Sequence, residues 1–164
     1  MIQSLHIQSN SAEFTQDLGR IIGEQASAGD VFLLTGELGA GKTCLTQGIA
    51  LGLGVKAYVR SPTFVLMTRH HGRLTLHHVD LYRMDSAAEA WDLGLDEQLF
   101  GEGICVIEWA NRASEVFPED CLWIDLDYGS DSEHRKIVFE PGVDVGKSRF
   151  KPLLGLLSEK AGAR

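Results

Sequence analysis

The eight residues from 36 to 43, GELGAGKT, constrain this chain more than any other feature. They satisfy G-x-x-x-x-G-K-[ST], with the apolar run DVFLLTG before them and TCLTQGIALGLG, a helical segment ending at Gly54, after them. A buried strand, a glycine loop and a helix in immediate succession is the setting in which this pattern grips phosphate. Gly39 and Gly41 permit backbone conformations that a side chain would obstruct, so successive N–H groups can turn inward toward phosphate oxygens. The amino end of the helix beginning near Lys42 adds its positive dipole end at the same place. Lys42 supplies a mobile cation for the β and γ phosphates, and the Thr43 hydroxyl is placed to ligate Mg²⁺.

The surrounding pattern predicts an α/β fold: a P-loop NTPase-like three-layer sandwich with a mixed, mainly parallel sheet and added antiparallel hairpin strands. SLHIQS alternates like a short strand. SAEFTQDLGRIIGEQA then places Phe14, Leu18, Ile21 and Ile22 on one helical face, with Asn10 and Glu13 spaced as a capping box. VLMTRHH and RLTLHHVDLY, parted by Gly72, read as a hairpin. Ser86 and Glu89 suit the start of a helix ending near Gly94. ICVIEW follows as a strand, then a short helix from about Arg112 to Phe117, then the strands CLWIDLDYG and HRKIVFEP. Residues 1–145 form one expected domain. The tail, 146–164, is basic where the body is acidic, and its PLLGLL centre is expected to be a short helix packed on that domain.

The bulk numbers restrict function further. A chain of 164 residues suits a single core. A net charge of −8 argues against gripping a phosphate backbone directly, so any nucleic-acid role would be indirect or confined to a patch. The apolar runs are too short for a membrane span, and MIQSLHIQSN lacks a secretory pattern, so a cytoplasmic protein is expected. Cys44, Cys105 and Cys121 lack metal-type spacing and read as reduced, packed thiols. His77 and His78 alternate to opposite faces of a strand, which disfavours a shared transition metal.

A phosphate loop of this kind needs a second acid for its metal, commonly at the carboxyl end of a neighbouring apolar strand. LHHVDLYR offers Asp80 and ICVIEW offers Glu108. A charge closing a buried strand must find water, a cation or a donor, and the phosphate loop makes a cation the better expectation for Glu108. Either acid could serve as base. Trp109, beside Glu108, could meet nucleotide or partner, or pack under the sheet. The guanine-nucleotide signatures D-x-x-G and N-K-x-D do not occur. A small-molecule kinase stays open as the alternative, because Arg60, Arg69, Arg73 and Arg83 could furnish a lid.

Four segments together carry a resemblance. GDVFLLTGELGAGKT, SPTF at 61–64, HHVDLYR at 77–83 and IEW at 107–109 resemble, in order and spacing, the TsaE family of bacterial tRNA threonylcarbamoyladenosine (t6A) biosynthesis. EHRKIVFEPG is similar to that family's terminal strand with its Arg. The likeness runs from the first helix to about Gly142; Ala110 replaces a common proline, and the tail lies beyond it. The resemblance implies a Mg²⁺-dependent ATPase, weak alone, acting with TsaD and TsaB without itself performing the transfer to adenosine 37. It implies that the backbone of Glu37, Leu38, Gly39, Ala40, Gly41, Lys42 and Thr43 cradles the phosphates. Thr43 and Glu108 would hold Mg²⁺, Asp80 would order metal-bound or attacking water, and Thr63 would sense the γ-phosphate. Ser11 and Arg135 are the implied contacts to base or ribose.

Overall fold

The computed structural model describes residues 3–37, 39–62, 67–83, 92, 94 and 101–163. Its elements are β1 (Leu5–Ser9), α1 (Ala12–Gln25), β2 (Val31–Thr35), α2 (Lys42–Gly52), β3 (Met67–His71), β4 (Thr75–Asp80), β5 (Ile104–Glu108), β6 (Leu122–Tyr128), β7 (Arg135–Pro141) and α3 (Lys151–Gly162). Two 3-10 segments, Ala110–Val116 and Val145–Lys147, complete the order. The strands form one sheet in the order β1-β7-β6-β2-β5-β4-β3. The four central strands, β6, β2, β5 and β4, run parallel, while β3, β7 and β1 add antiparallel to their neighbours. This is the expected mixed sheet.

Alternation along the central strands divides the core between the two faces of the sheet. Phe32 and Leu34 of β2, with Ile104 and Val106 of β5, pack against Leu18, Ile22, Leu45 and Ile49 of α1 and α2. Phe150, Leu153, Leu154 and Leu157 belong to the same cluster, so α3 closes this face. Val31 and Leu33 of β2, with Cys105 and Ile107 of β5, face the other way onto Ala110, Ala113 and Val116. The start of α3 is also tied by charge: Arg149 pairs with buried Asp30 at 2.9 Å, and Asp120 accepts hydrogen bonds from the Ser148 hydroxyl and the Arg149 amide, each at 2.8 Å.

Helices α1 and α2 touch backbone to backbone. A Cβ on Gly19 would stand 2.3 Å from the Leu45 carbonyl oxygen and one on Gly23 2.1 Å from that of Ile49. Gly48 and Gly52 are reciprocally close, at 2.2 Å from the carbonyls of Gln16 and Arg20. Two pairs of glycines, each four residues apart, therefore set the interhelical distance, and through it the position of the phosphate loop that opens α2.

Three local expectations are corrected. The cap of α1 is Ser11, whose hydroxyl accepts from the Phe14 amide at 3.0 Å, in place of Asn10; Ser, with its shorter side chain, sits one residue nearer the first turn. The helix expected at 112–117 is a 3-10 segment at Ala110–Val116, broken at Ala113 (φ −144°). Helix α2 stops at Gly52, two residues before Gly54, which takes a left-handed φ of +77° just beyond it. The hairpin forms as expected from Met67 onward, and the helix expected between Ser86 and Gly94 lies mostly outside the described residues. The three cysteines are free thiols; burial pushes Cys105 up to about 12 and Cys121 to about 11, as suits packed side chains.

Candidate nucleotide-binding site

The carboxyl ends of β2, β5 and β4 lie side by side, and Lys42, Thr43, Asp80 and Glu108 converge there. β2 runs directly into the loop. Gly36 takes φ +133°, and a Cβ on it would stand 2.2 Å from the Leu126 carbonyl oxygen; Gly39 and Gly41 take φ +79° and +109°. These left-handed values are open to glycine at little cost. Gly41 is the N-cap of α2, so the loop ends where the helix dipole begins.

Lys42 is only 5% exposed. Its ammonium donates to the carbonyls of Gly36 and Glu37 at 2.6 and 2.7 Å and lies 4.3 Å from the centre of the Trp109 ring. Burial holds its pKa below the ordinary lysine value, while Glu108, Asp80, Asp125 and Glu37 act in the opposite sense. The Thr43 hydroxyl donates to Glu108 Oε1 at 3.3 Å. In the parallel register, Asp80 stands opposite Glu108. Asp80 accepts from the Ser61 hydroxyl at 3.0 Å and from the Tyr82 amide at 2.8 Å. Both acids are buried, Asp80 at 1% and Glu108 at 2% exposure, so the strand end in ICVIEW does not run out into water.

Trp109 is the described non-glycine residue with positive φ, at +59°. Holding an indole in that region costs roughly 1–3 kcal/mol. The turn swings its ring over Lys42 and against Tyr82, whose ring centre is 4.9 Å away. The residue therefore lines the site while also flanking the second core cluster.

Two adjoining clefts share Gly39, Gly41 and Cys44. One, about 370 Å³, is lined by Lys42, Thr43, Ser61, Asp80, Glu108 and Trp109. The other, about 390 Å³, is lined by Ser11, Ala12, Thr15, Ser132, Glu133 and Arg135. Arg135 donates Nε to the Ala40 carbonyl at 3.1 Å and an NH2 to that of Gly39 at 3.3 Å, with its guanidinium 4.7 Å from the Tyr128 ring centre. It thus braces the loop as well as facing the second cleft. Leu38 and Thr63 lie outside the described residues.

The donor set suits Mg²⁺. The ion takes hard oxygen ligands, and usually only one or two protein carboxylates beside waters and phosphates. A threonine hydroxyl and a carboxylate oxygen in contact, with a second carboxylate across the register, fit that need. Among the described residues no group of three or more His, Cys, Asp or Glu side chains is arranged to hold a metal. His77 turns away, its Nε2 3.1 Å from the Glu102 carbonyl. His78, on the opposite face, is fully buried with Nε2 against Glu108 Oε2. That contact was missed from sequence; alternation on β4 placed His78 on the Asp80 face, but only the register brings Glu108 to it.

The family model described as "Threonylcarbamoyl adenosine biosynthesis protein TsaE" matches residues 9–137. The chain is 45% identical over 118 residues to the tRNA threonylcarbamoyladenosine biosynthesis protein TsaE of Treponema pallidum, covering 72% of this chain and 87% of that one. It is 40% identical over 139 residues to the protein of the same name from Bacillus subtilis, covering 84% and 86%. The crystal structure of B. subtilis YdiB superposes with a TM-score of 0.81 at 34% identity, over 97% of each chain.

Proposed function

The chain belongs to the TsaE family of tRNA threonylcarbamoyladenosine biosynthesis proteins, and we propose that within that process it is the Mg²⁺-dependent, ATP-binding and ATP-hydrolysing component, working in the cytoplasm with TsaD and TsaB. The observation that carries this reading is the convergence of Lys42, Thr43, Glu108 and Asp80 at the mouth of a glycine loop ending on a helix amino terminus.

The phosphates of ATP would lie in the cleft of Lys42 and Glu108, cradled by backbone N–H groups of residues 37–43. The adjoining cleft, with Ser11 and Arg135, would take ribose and base. Lys42 gives up its two carbonyl partners for the β and γ phosphates. Thr43 and Glu108 would hold Mg²⁺, with Asp80 beside them. Bound Mg²⁺ supplies charge neutralisation on the phosphate oxygens. Asp80 then orders the attacking water, and Thr63 senses the γ-phosphate. Trp109 over Lys42 keeps water from one side of the ammonium. A net charge of −8 does not suit direct capture of tRNA, which supports a component that works on the partners' conformation.

Of the four arginines that could furnish a kinase lid, Arg73 is engaged elsewhere, donating to the carbonyls of Gly23, Glu24 and Ala26 at the end of α1, and Arg60 lies over the Tyr58 ring. The test is phosphate release from ATP by the pure chain, alone and with TsaB and TsaD. Release that rises on adding the partners supports the reading. Transfer of the γ-phosphate to a small acceptor overturns it.

A further inference from the structure

We propose that His78 is the residue that sets the orientation of Glu108, so that the carboxylate is already aimed before any metal arrives. The inference rests on the reading of Glu108 as a metal-holding acid and adds what makes it one.

The argument begins with freedom. A glutamate at a strand end has three rotatable bonds, and a carboxylate that wanders among them presents its oxygens to a ligand only part of the time. In this fold the two oxygens are held by different elements. Oε1 accepts from Thr43 at the first turn of α2, and Oε2 meets His78 Nε2. In the parallel register, His78 lies opposite Val106, and Asp80 opposite Glu108. With a strand period of two, these four side chains share one face. The Glu108 side chain therefore folds back by one step along the ladder to reach the imidazole.

The tautomer follows from the surroundings. His78 is fully buried, and among the described residues its Nδ1 has no hydrogen-bond partner. A proton on Nδ1 would be a buried orphan donor, whereas a bare Nδ1 leaves only an acceptor lone pair, the lesser cost. The proton is therefore assigned to Nε2, which donates to Oε2. Oε1, the oxygen turned to Thr43 and the cleft, remains for the metal. Partners behind a metal ligand commonly change metal affinity by about 10–100-fold when removed. His78 touches neither cleft and acts through Glu108; it is a positioning residue.

The experiment is a Mn²⁺ titration of the full chain with a non-hydrolysable ATP analogue, followed by electron paramagnetic resonance. Four variants are compared: His78→Leu, His78→Gln, Glu108→Gln and the His78→Leu/Glu108→Gln double variant. His78→Leu is expected to weaken Mn²⁺ by about tenfold or more while leaving metal-free binding of the analogue unchanged. His78→Gln, whose amide keeps a donor at similar reach, is expected to restore most of that loss. In the Glu108→Gln background, His78→Leu should add nothing further. Unchanged Mn²⁺ affinity in His78→Leu, or equal losses in both Glu108 backgrounds, overturns the proposal. Unchanged affinity in Glu108→Gln overturns the metal reading itself, a distinguishable result. Should His78→Leu fail to fold, long-range ¹H–¹⁵N spectra of the wild-type chain decide: the proton is expected on Nε2, and a proton on Nδ1 with Nε2 bare refutes the assignment.

Discussion

Replacing Lys42 by Met keeps the buried stem of the side chain and removes only the ammonium, which makes it the cleanest test of the phosphate site. The ammonium donates to two carbonyls and lies over Trp109; in the proposed ATP complex those bonds would be exchanged for bonds to phosphate. A hydrogen bond to a charged group is worth roughly 1.5–3 kcal/mol, so loss of the ammonium should weaken nucleotide binding by roughly 10- to 150-fold, at about 1.4 kcal/mol per tenfold. The upper part of that range can be read as a melting shift. With ATP at about 100 times its dissociation constant, wild type gains ~2.7 kcal/mol, which for a chain of this size is an upward shift of about 5–11 °C. A variant binding about 100-fold more weakly gains only ~0.4 kcal/mol at the same concentration, or about 1 °C. The assay is thermal unfolding with and without ATP. Burial already disfavours the charged form of Lys42, so its loss should leave the nucleotide-free protein folded. A Lys42→Met protein that retains the full ligand-induced shift would refute the assignment of Lys42 to the phosphates.

Three other outcomes are expected. Gly23→Ala, which ordinary helix propensity would favour, should instead destabilise by roughly 1–3 kcal/mol through overpacking, because its Cβ would meet the Ile49 carbonyl at 2.1 Å; urea denaturation showing equal or greater stability would contradict the close helix packing. Arg73→Ala should lower the melting temperature by about 2–4 °C, for ~1 kcal/mol of helix-end hydrogen bonding, without changing nucleotide affinity; a loss of turnover at unchanged stability would revive the lid. Asp30 is raised from 3.8, chiefly by burial. The folded chain then keeps a proton that the unfolded chain has released, so wild type should lose stability relative to Asp30→Asn as pH rises above 3.8 through the raised value; a relative gain over that window, measured by urea unfolding across pH, would show that the Arg149 pair outweighs burial.

The local order of strand, loop and helix around GELGAGKT was legible from sequence because each part is fixed by neighbours in the chain: the apolar run, the glycines, and the lysine and threonine that follow. The same holds for the β3–β4 hairpin and for the face of α1 carrying Leu18 and Ile22, since periodicity is a local property. Caps and short 3-10 turns were less legible. Ser11 and Asn10 are both good caps, and the choice between them depends on where β1 leaves the sheet.

What the sequence determined by itself was a set of local features: a glycine loop between a strand and a helix, two acids at strand ends, and an aromatic beside one of them. Only the tertiary structure decided which side chains meet. The order β6-β2-β5-β4 brings Glu108 beside the loop, and the β4–β5 register sets Asp80 opposite it and lets His78 reach its second oxygen. These pairings join residues 28 or more positions apart, and no local pattern encodes them. They follow from alternation along the central strands, which sends one set of side chains to α1, α2 and α3 and the other to the 3-10 segment, so that a slip of one residue would exchange the two sets.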